Sequence, residues 1–219
     1  MWTLTEVKQM IGRECGDPEV TSYPDAIQDH LIKAIEELAD NITTMADIKR
    51  ELTDKERTAY SEVIGISENE IYPMLKIVGI TPSFSNLVAS ISINNANFPR
   101  AIKVRDVFWG LQNADTKRII PVNTYSEFVR RKTNPHLQPQ TGEVVWFNSG
   151  NKIHILMSST LASSTSLKFN FHTLTSLDYD SWTGNTNLQT TTGFGSNFLV
   201  KCVKRAAYTM RLQLSQEKE

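Results

Sequence analysis

Four histidines, two cysteines and one closely spaced pair of aspartates are the side chains of this 219-residue chain best suited to chemistry. His30 falls on a helical stretch beside its apolar face, which reads as a boundary or core position. His136 follows Pro135 in a loop. His154 and His172 share an outward parity on strands that read as neighbours. A symmetric turn between those strands would set Lys168, not His172, opposite His154, and no cysteine or nearby acid completes a zinc-type ligand set. Asp178 and Asp180 would share one face of a strand, as an acid/base pair requires. Inside a Ser/Thr-rich stretch they read instead as residues that solvate a turn, without the burial that tunes a carboxyl. Gly193-Phe194-Gly195 lacks the third glycine of a dinucleotide fingerprint, and neither a phosphate-binding Gly-Lys-Ser/Thr nor a Gly-x-Ser-x-Gly elbow occurs. Cys15 and Cys202 fall where apolar helix residues belong, as structural thiols do. The expectation is a protein that is not an enzyme, with no metal and no cofactor.

The elements that would position these residues change character along the chain. Thr3-x-x-Glu6 is a capping box followed by Leu4, Val7 and Ile11 on one face, and Gly16, Asp17 and Pro18 end that helix. A second helix is predicted from Ser22-x-x-Asp25, with Pro24 in its first turn and Ile27, Leu31, Ile35 and Leu38 in a stripe. Residues 41–84 read as an inserted segment, with helix starts at Thr53-x-x-Glu56 and Ser67-x-x-Glu70 and a mostly charged stretch from Asp47 to Tyr60. After Pro82 the period becomes two. Leu87, Ala89, Ile91 and Ile93 alternate, Ile102–Phe108 and residues 118–122 follow as strands, and Thr124-x-x-Glu127 opens a short helix. Val144–Phe147 and Lys152–Met157 form a hairpin about Asn148–Asn151, and Leu167, Phe169 and Phe171 mark the inward face of another strand. Residues 173–197 are a long polar stretch. Phe198, Cys202, Ala206 and Met210, with Leu199, Val203 and Leu214 beside them, define a closing helix that Lys201, Lys204, Arg205 and Arg211 make basic.

The predicted fold class is therefore α+β. A helical hairpin or bundle occupies residues 1–84, and an antiparallel β domain with a helix at 124–132 occupies 85–178. A polar loop at 179–197 leads to a C-terminal amphipathic helix and tail at 198–219. Hydrophobic residues at 40% and charged residues at 21% suit a globular chain and exclude a disordered one. No run approaches the ~20 apolar residues that span a bilayer. The opening MWTLTEVKQM lacks the basic and apolar regions of a signal peptide, so synthesis in the cytoplasm is expected. Net charge is −1, but residues 1–80 carry 16 Asp/Glu against 8 Lys/Arg and residues 81–219 carry 8 against 15. Such a split suits a molecule with faces of opposite sign. A pI near 6.4 without a DNA-binding module argues against sequence-specific reading of nucleic acid.

The order of parts resembles a known family. Leu4-Thr5-Glu6-Val7 lies in a short helix that ends in a Gly-Asp-Pro turn, and a second helix holds Asp25-Ala26-Ile27, His30-Leu31-Ile32-Lys33-Ala34-Ile35 and Glu37-Leu38. Asn97-Phe98-Pro99-Arg100-Ala101-Ile102-Lys103-Val104 follows, then Pro121-Val122 with Tyr125-Ser126-Glu127-Phe128, Thr141-Gly142, and Trp146-Phe147 with Asn151-Lys152-Ile153-His154-Ile155. This series is similar to the head-to-tail adaptor (connector) proteins of tailed bacteriophages, of the tail tubular protein A type. Residues 41–84 fit it least.

The resemblance implies a structural virion protein, made in the host cytoplasm and located in the virion neck. It would form a homo-oligomeric ring, usually of twelve copies, beneath the portal protein and above the tail nozzle protein. DNA would pass through the ring without sequence-specific binding, and no membrane would be involved. The closing helix would be the portal-docking part, through Phe198, Lys201, Lys204, Arg205, Arg211 and Leu214, and its removal should leave the rest folded. Asp178, Asp180 and Trp182 would serve inter-subunit or nozzle contacts once the polar loop orders there. Two alternatives stand beside this reading: a carbohydrate- or protein-binding β module using Trp109, Trp146 and Trp182, and a hydrolase built on Asp178 and Asp180.

Overall fold

The computed structural model describes residues 2–17, 19–48, 50–109, 118–158 and 167–216. The protein is α+β, and the chain divides into two units: Lys76–Thr175, and a helical unit made from the stretches on either side. Charge follows this division. Residues 76–175 hold 11 Lys/Arg against 4 Asp/Glu, a net +7, while the flanking stretches hold 12 against 20, a net −8.

The helical unit is built from α1 (Leu4–Cys15), α2 (Pro24–Asp47), the short α3 (Asp54–Ala59), a 3-10 turn over Glu68–Met74 and the closing α5 (Ser196–Gln216). Helix α1 forms as its sequence dictates. Thr3 and Glu6 close a reciprocal capping box, and Gly16 ends the helix in the left-handed region at φ 82°. Leu4, Val7 and Ile11 are buried on one face. Helix α2 starts differently from the expectation. Ser22 provides no cap, and Pro24 is the first helical residue. The donors before it turn instead to Asp17, whose carboxylate accepts from the N–H groups of Thr21, Ser22 and Tyr23 at 3.0–3.2 Å. Burial acts to raise the Asp17 carboxyl, and these donors outweigh it, holding it below the usual range.

Helix α2 runs seven residues into the stretch read as an insertion. Ile42 and Thr43 continue the buried stripe of Ile27, Leu31, Ile35 and Leu38, so residues 41–47 belong to the core helix. Helix α3 has its predicted capping box at Thr53 and Glu56 and buries no residue. The start at Ser67 yields a 3-10 turn, not an α-helix, with the Ser67 hydroxyl accepting from Asn69 N–H.

The second unit is a layered β structure in which β1 (Leu75–Ile80), β7 (Phe169–Thr175) and β3 (Ala101–Trp109) form one sheet in the order β1-β7-β3. The other sheet runs β2-β6-β5-β4, from β2 (Val88–Ser92), β6 (Lys152–Met157), β5 (Glu143–Asn148) and β4 (Arg118–Pro121). Strand β1 departs from the sequence expectation, in which the period changes after Pro82. The sheet structure therefore begins about ten residues earlier than the predicted boundary at 85. In line with the antiparallel domain expected, β2–β6, β5–β6 and β3–β7 pair antiparallel, while β4 pairs β5 in parallel, Pro121 facing Trp146. Parallel neighbours need a crossover, and α4 (Tyr125–Thr133), capped by Thr124, supplies it.

The core between the sheets contains Ala89, Ile91, Phe98, Val104, Val107, Ile153, Ile155, Phe169 and Phe171. Phe98 and Phe171 meet edge to face at 5.2 Å between ring centroids. The register shift between Val104 and Asp106 in β3 lets both Val104 and Val107 point inward although they lie three residues apart. A smaller cluster on the other side of β5 and β6 joins Val145, Phe147 and Leu156 to Val122 and to Phe128 of α4. Strand β5 is thus buried on both faces, which explains its unbroken apolar run Val144–Phe147. Where β1 meets β7, Thr173 Oγ1 donates to Lys76 O at 3.3 Å.

Candidate functional site

Helix α5 carries most of the residues singled out by sequence. Phe198, Leu199, Cys202, Val203, Ala206, Ala207 and Met210 are buried in two adjacent stripes, as one face of a 3.6-residue period requires. They pack with α1, α2 and the turn at Glu68–Met74. Glu70 of that turn fixes the start of α5: its carboxylate accepts from Phe198 N–H at 2.9 Å, and its carbonyl accepts from Gly195 N–H at 2.9 Å. His30 of α2 fixes the other end, with Nδ1 2.9 Å from Thr209 Oγ1 and Nε2 2.8 Å from Gln213 Oε1. The boundary role read for His30 takes this form.

This packing divides the proposed docking residues. Phe198 is fully buried among the helices and offers no surface to a partner. Arg205 turns back onto the helical unit, 3.3 Å from Glu37 and 3.7 Å from Glu62. Arg211 lies 3.7 Å from Glu14, both more than half exposed, and Leu214 and Lys201 are half-buried. Lys204 is exposed. Deleting residues 198 onward would uncover the apolar faces of α1 and α2, so α5 is core and not a removable appendage.

What α5 does offer outward is a groove shared with α1. It encloses about 550 Å³, with Val200, Val203 and Ala207 of α5 along one side and Trp2 and Met10 on the other. Met10 is 39% exposed. Arg13, Lys204 and Arg211 stand along it with Glu14. Sequence reasoning named Lys204 and Arg211 but missed Trp2, Met10 and Arg13. The one available signal was an apolar Met10 on the outward side of α1.

Most of the polar stretch 173–197, from Ser176 on, is organised within the helical unit, where the expectation is ordering against a partner. Strand β7 takes its first residues through Thr175. Beyond it, Gly184 O and Thr186 O accept from Thr5 N–H and Leu4 N–H at 3.1 and 2.8 Å, and Leu188 N–H donates to Trp2 O at 2.8 Å. Leu188 and Phe194 are buried. Asp178 precedes a single 3-10 turn at Tyr179–Ser181 and does not share a strand face with Asp180; both carboxylates are exposed. Trp182 is half-buried and meets Tyr179 edge to face at 4.9 Å.

The other candidate residues are separated. His154 and His172 lie in different sheets, facing Phe147 and Asp106 respectively, so their strands are not neighbours. His154 sits among Tyr125, Phe128 and Phe147 with Nδ1 3.0 Å from Ser90 Oγ, and burial, aided by Lys152, pulls its imidazole below its ordinary range. His172 packs on Phe108 with centroids 4.0 Å apart, and His136 is exposed. Trp146 is 7% exposed in the sheet core, and the side chain of Trp109 lies outside the described residues. Burial raises both thiols, well above the ordinary value at Cys202. Among the described residues no three potential ligand side chains converge on a metal position, and no helix is long and apolar enough to cross a membrane.

With the groove and the separated polar residues in view, comparison with known proteins adds no assignment: no protein-family model matches this chain, and no curated protein matches it.

Proposed function

We propose that this chain is a structural connector, an adaptor-ring subunit that joins a phage portal protein to the tail nozzle and continues the DNA channel in the virion neck. The observation that carries the reading is the partition of charge, −8 in the helical unit and +7 in the β unit. A ring is made from heterologous interfaces, in which two different surfaces of each subunit meet. Surfaces of opposite sign favour that pairing over like-with-like contacts. The order of elements quoted above supplies the second support. Portal docking falls to the outward side of α5 with α1, through Lys204 and Arg211, and the role is not enzymatic.

Copy number relative to the portal in purified virions, by quantitative mass spectrometry, tests the proposal. A ratio near one to one supports a ring matched to the portal. Absence from virions refutes the adaptor role, and a large excess reassigns the chain to a tail or decoration protein. The sugar-binding alternative needs tryptophan faces open to a ring, and the burial of Trp146 works against it.

A further inference from the structure

We propose that the groove between α1 and α5 is a receptor for a short, acidic, amphipathic helix of a partner protein. The inference rests on the docking role given to α5 and names the chemistry of what docks there.

Three features of the groove select this occupant. Its floor is apolar and low, because Val203 and Ala207 are 6% and 2% exposed and Ala207 has only a methyl group. A third helix can therefore approach α1 and α5 closely. Met10 on the facing wall is unbranched and 39% exposed, a side chain that adapts to whatever is laid against it. The lining positions run from Val200 to Arg211, a rise of ~16 Å at 1.5 Å per residue, which suits a helix of about three turns. Helices α1, α2 and α5 already pack pairwise, and a helix in this groove would complete a four-helix arrangement.

Charge then fixes the sign of the partner. Arg13 and Lys204 are exposed on the groove and form no ion pair among the described residues. Among the described residues Arg211 pairs with Glu14 at 3.7 Å, an exposed contact that exchanges partners at little cost. These cations stand in a unit whose net charge is −8, so they are a local exception to it. The matching ligand is a helix with apolar residues at i, i+4 and i+7 flanked by Asp and Glu.

The test uses the full chain and a fluorescein-labelled helical peptide of about 14 residues carrying a leucine stripe flanked by glutamates. Saturable binding is expected by fluorescence anisotropy at low salt, weakening as salt rises. Lys204→Glu with Arg13→Glu should weaken it by about tenfold or more. Both positions are exposed, so the double variant should keep its circular dichroism spectrum. A peptide with lysine at every glutamate should not bind. Equal binding of the two peptides, or no saturable binding by the acidic one, overturns the proposal. So does self-association of the free chain that Lys204→Glu abolishes, since the occupant would then be a second copy. Failure here with a one-to-one virion ratio refutes the groove ligand alone, whereas absence from virions refutes the adaptor reading.

Discussion

Replacing Glu70 with Ala removes the acceptor at the start of α5. The Ser196 hydroxyl, which could cap this helix locally, is already engaged by the Gln189 amide. Glu70, 128 residues upstream of Phe198, receives its N–H at 2.9 Å and holds the Asn197 side-chain amide at 3.4 Å. Loss of a helix N-cap acceptor costs about 1 kcal/mol, and loss of a negative charge at a helix N-terminus about 0.5 kcal/mol more. The sum, about 1.5 kcal/mol, corresponds to roughly tenfold faster opening of the first turns of α5. Amide hydrogen exchange over residues 198–206 reads this directly, since local opening need not involve the β unit. Glu70→Gln keeps an acceptor oxygen and loses only the charge, so about a twofold acceleration is expected. If the Ala variant leaves exchange across α5 unchanged, the remote cap does not hold the helix. If Gln and Ala are equally damaging, charge and not hydrogen bonding does the holding.

Gly195 faces the same carboxylate, and an added methyl would lie 2.6 Å from Glu70 Cβ. Gly195→Ala should therefore destabilise by about 1–3 kcal/mol in urea titration, and no loss would show that the turn yields freely. His154 should make the β unit acid-sensitive. Its folded-state pKa lies below the unfolded value near 6.5, so the unfolded chain takes the proton first. That contribution is complete above pH 6.5 and is lost as pH falls through the unfolded value toward the folded one. Urea midpoints followed by intrinsic fluorescence, with Trp2 and Trp182 replaced by Phe so that the signal comes from the β unit, should diverge less between pH 7.5 and 5.5 in His154→Asn than in the parent. Cys15, half-buried, should react slowly with a thiol reagent, while fully buried Cys202 should react only on unfolding. Equal rates for the two thiols would contradict the packing of α5.

The elements that were legible in sequence are those whose information is local. Capping boxes at Thr3 and Thr53, the stripe of α2 and the hairpin about Gly150 each lie within a few residues of what they determine. Strand β1 escaped because Gly79 interrupts its run. That glycine leaves room for the Lys168 side chain, which crosses it from beside β7. The second partner of β6 was equally hidden. Nothing near His154 states that the strand on the side away from β5 is β2 and not the next strand in order, because such pairing is decided by which faces can be buried together. The groove is the least legible feature of all. Met10 and Arg13 look like ordinary solvent-facing residues of α1 until Val203 and Ala207, some 190 positions later, are set beside them.

The contact between Thr173 and Lys76 brings the two ends of the continuous stretch 76–175 together. That stretch is in effect a domain inserted into a loop of another. For a chain made from its N-terminus at about 5–20 residues per second, this sets an order of events. The faces of α1 and α2 that α5 covers have no partner until residues 76–175 have been made. The β unit has its core partners within one continuous stretch and can fold first. Only the late arrival of α5 completes the helical core, so neither that core nor the groove can form until the last stretch of the chain has been made.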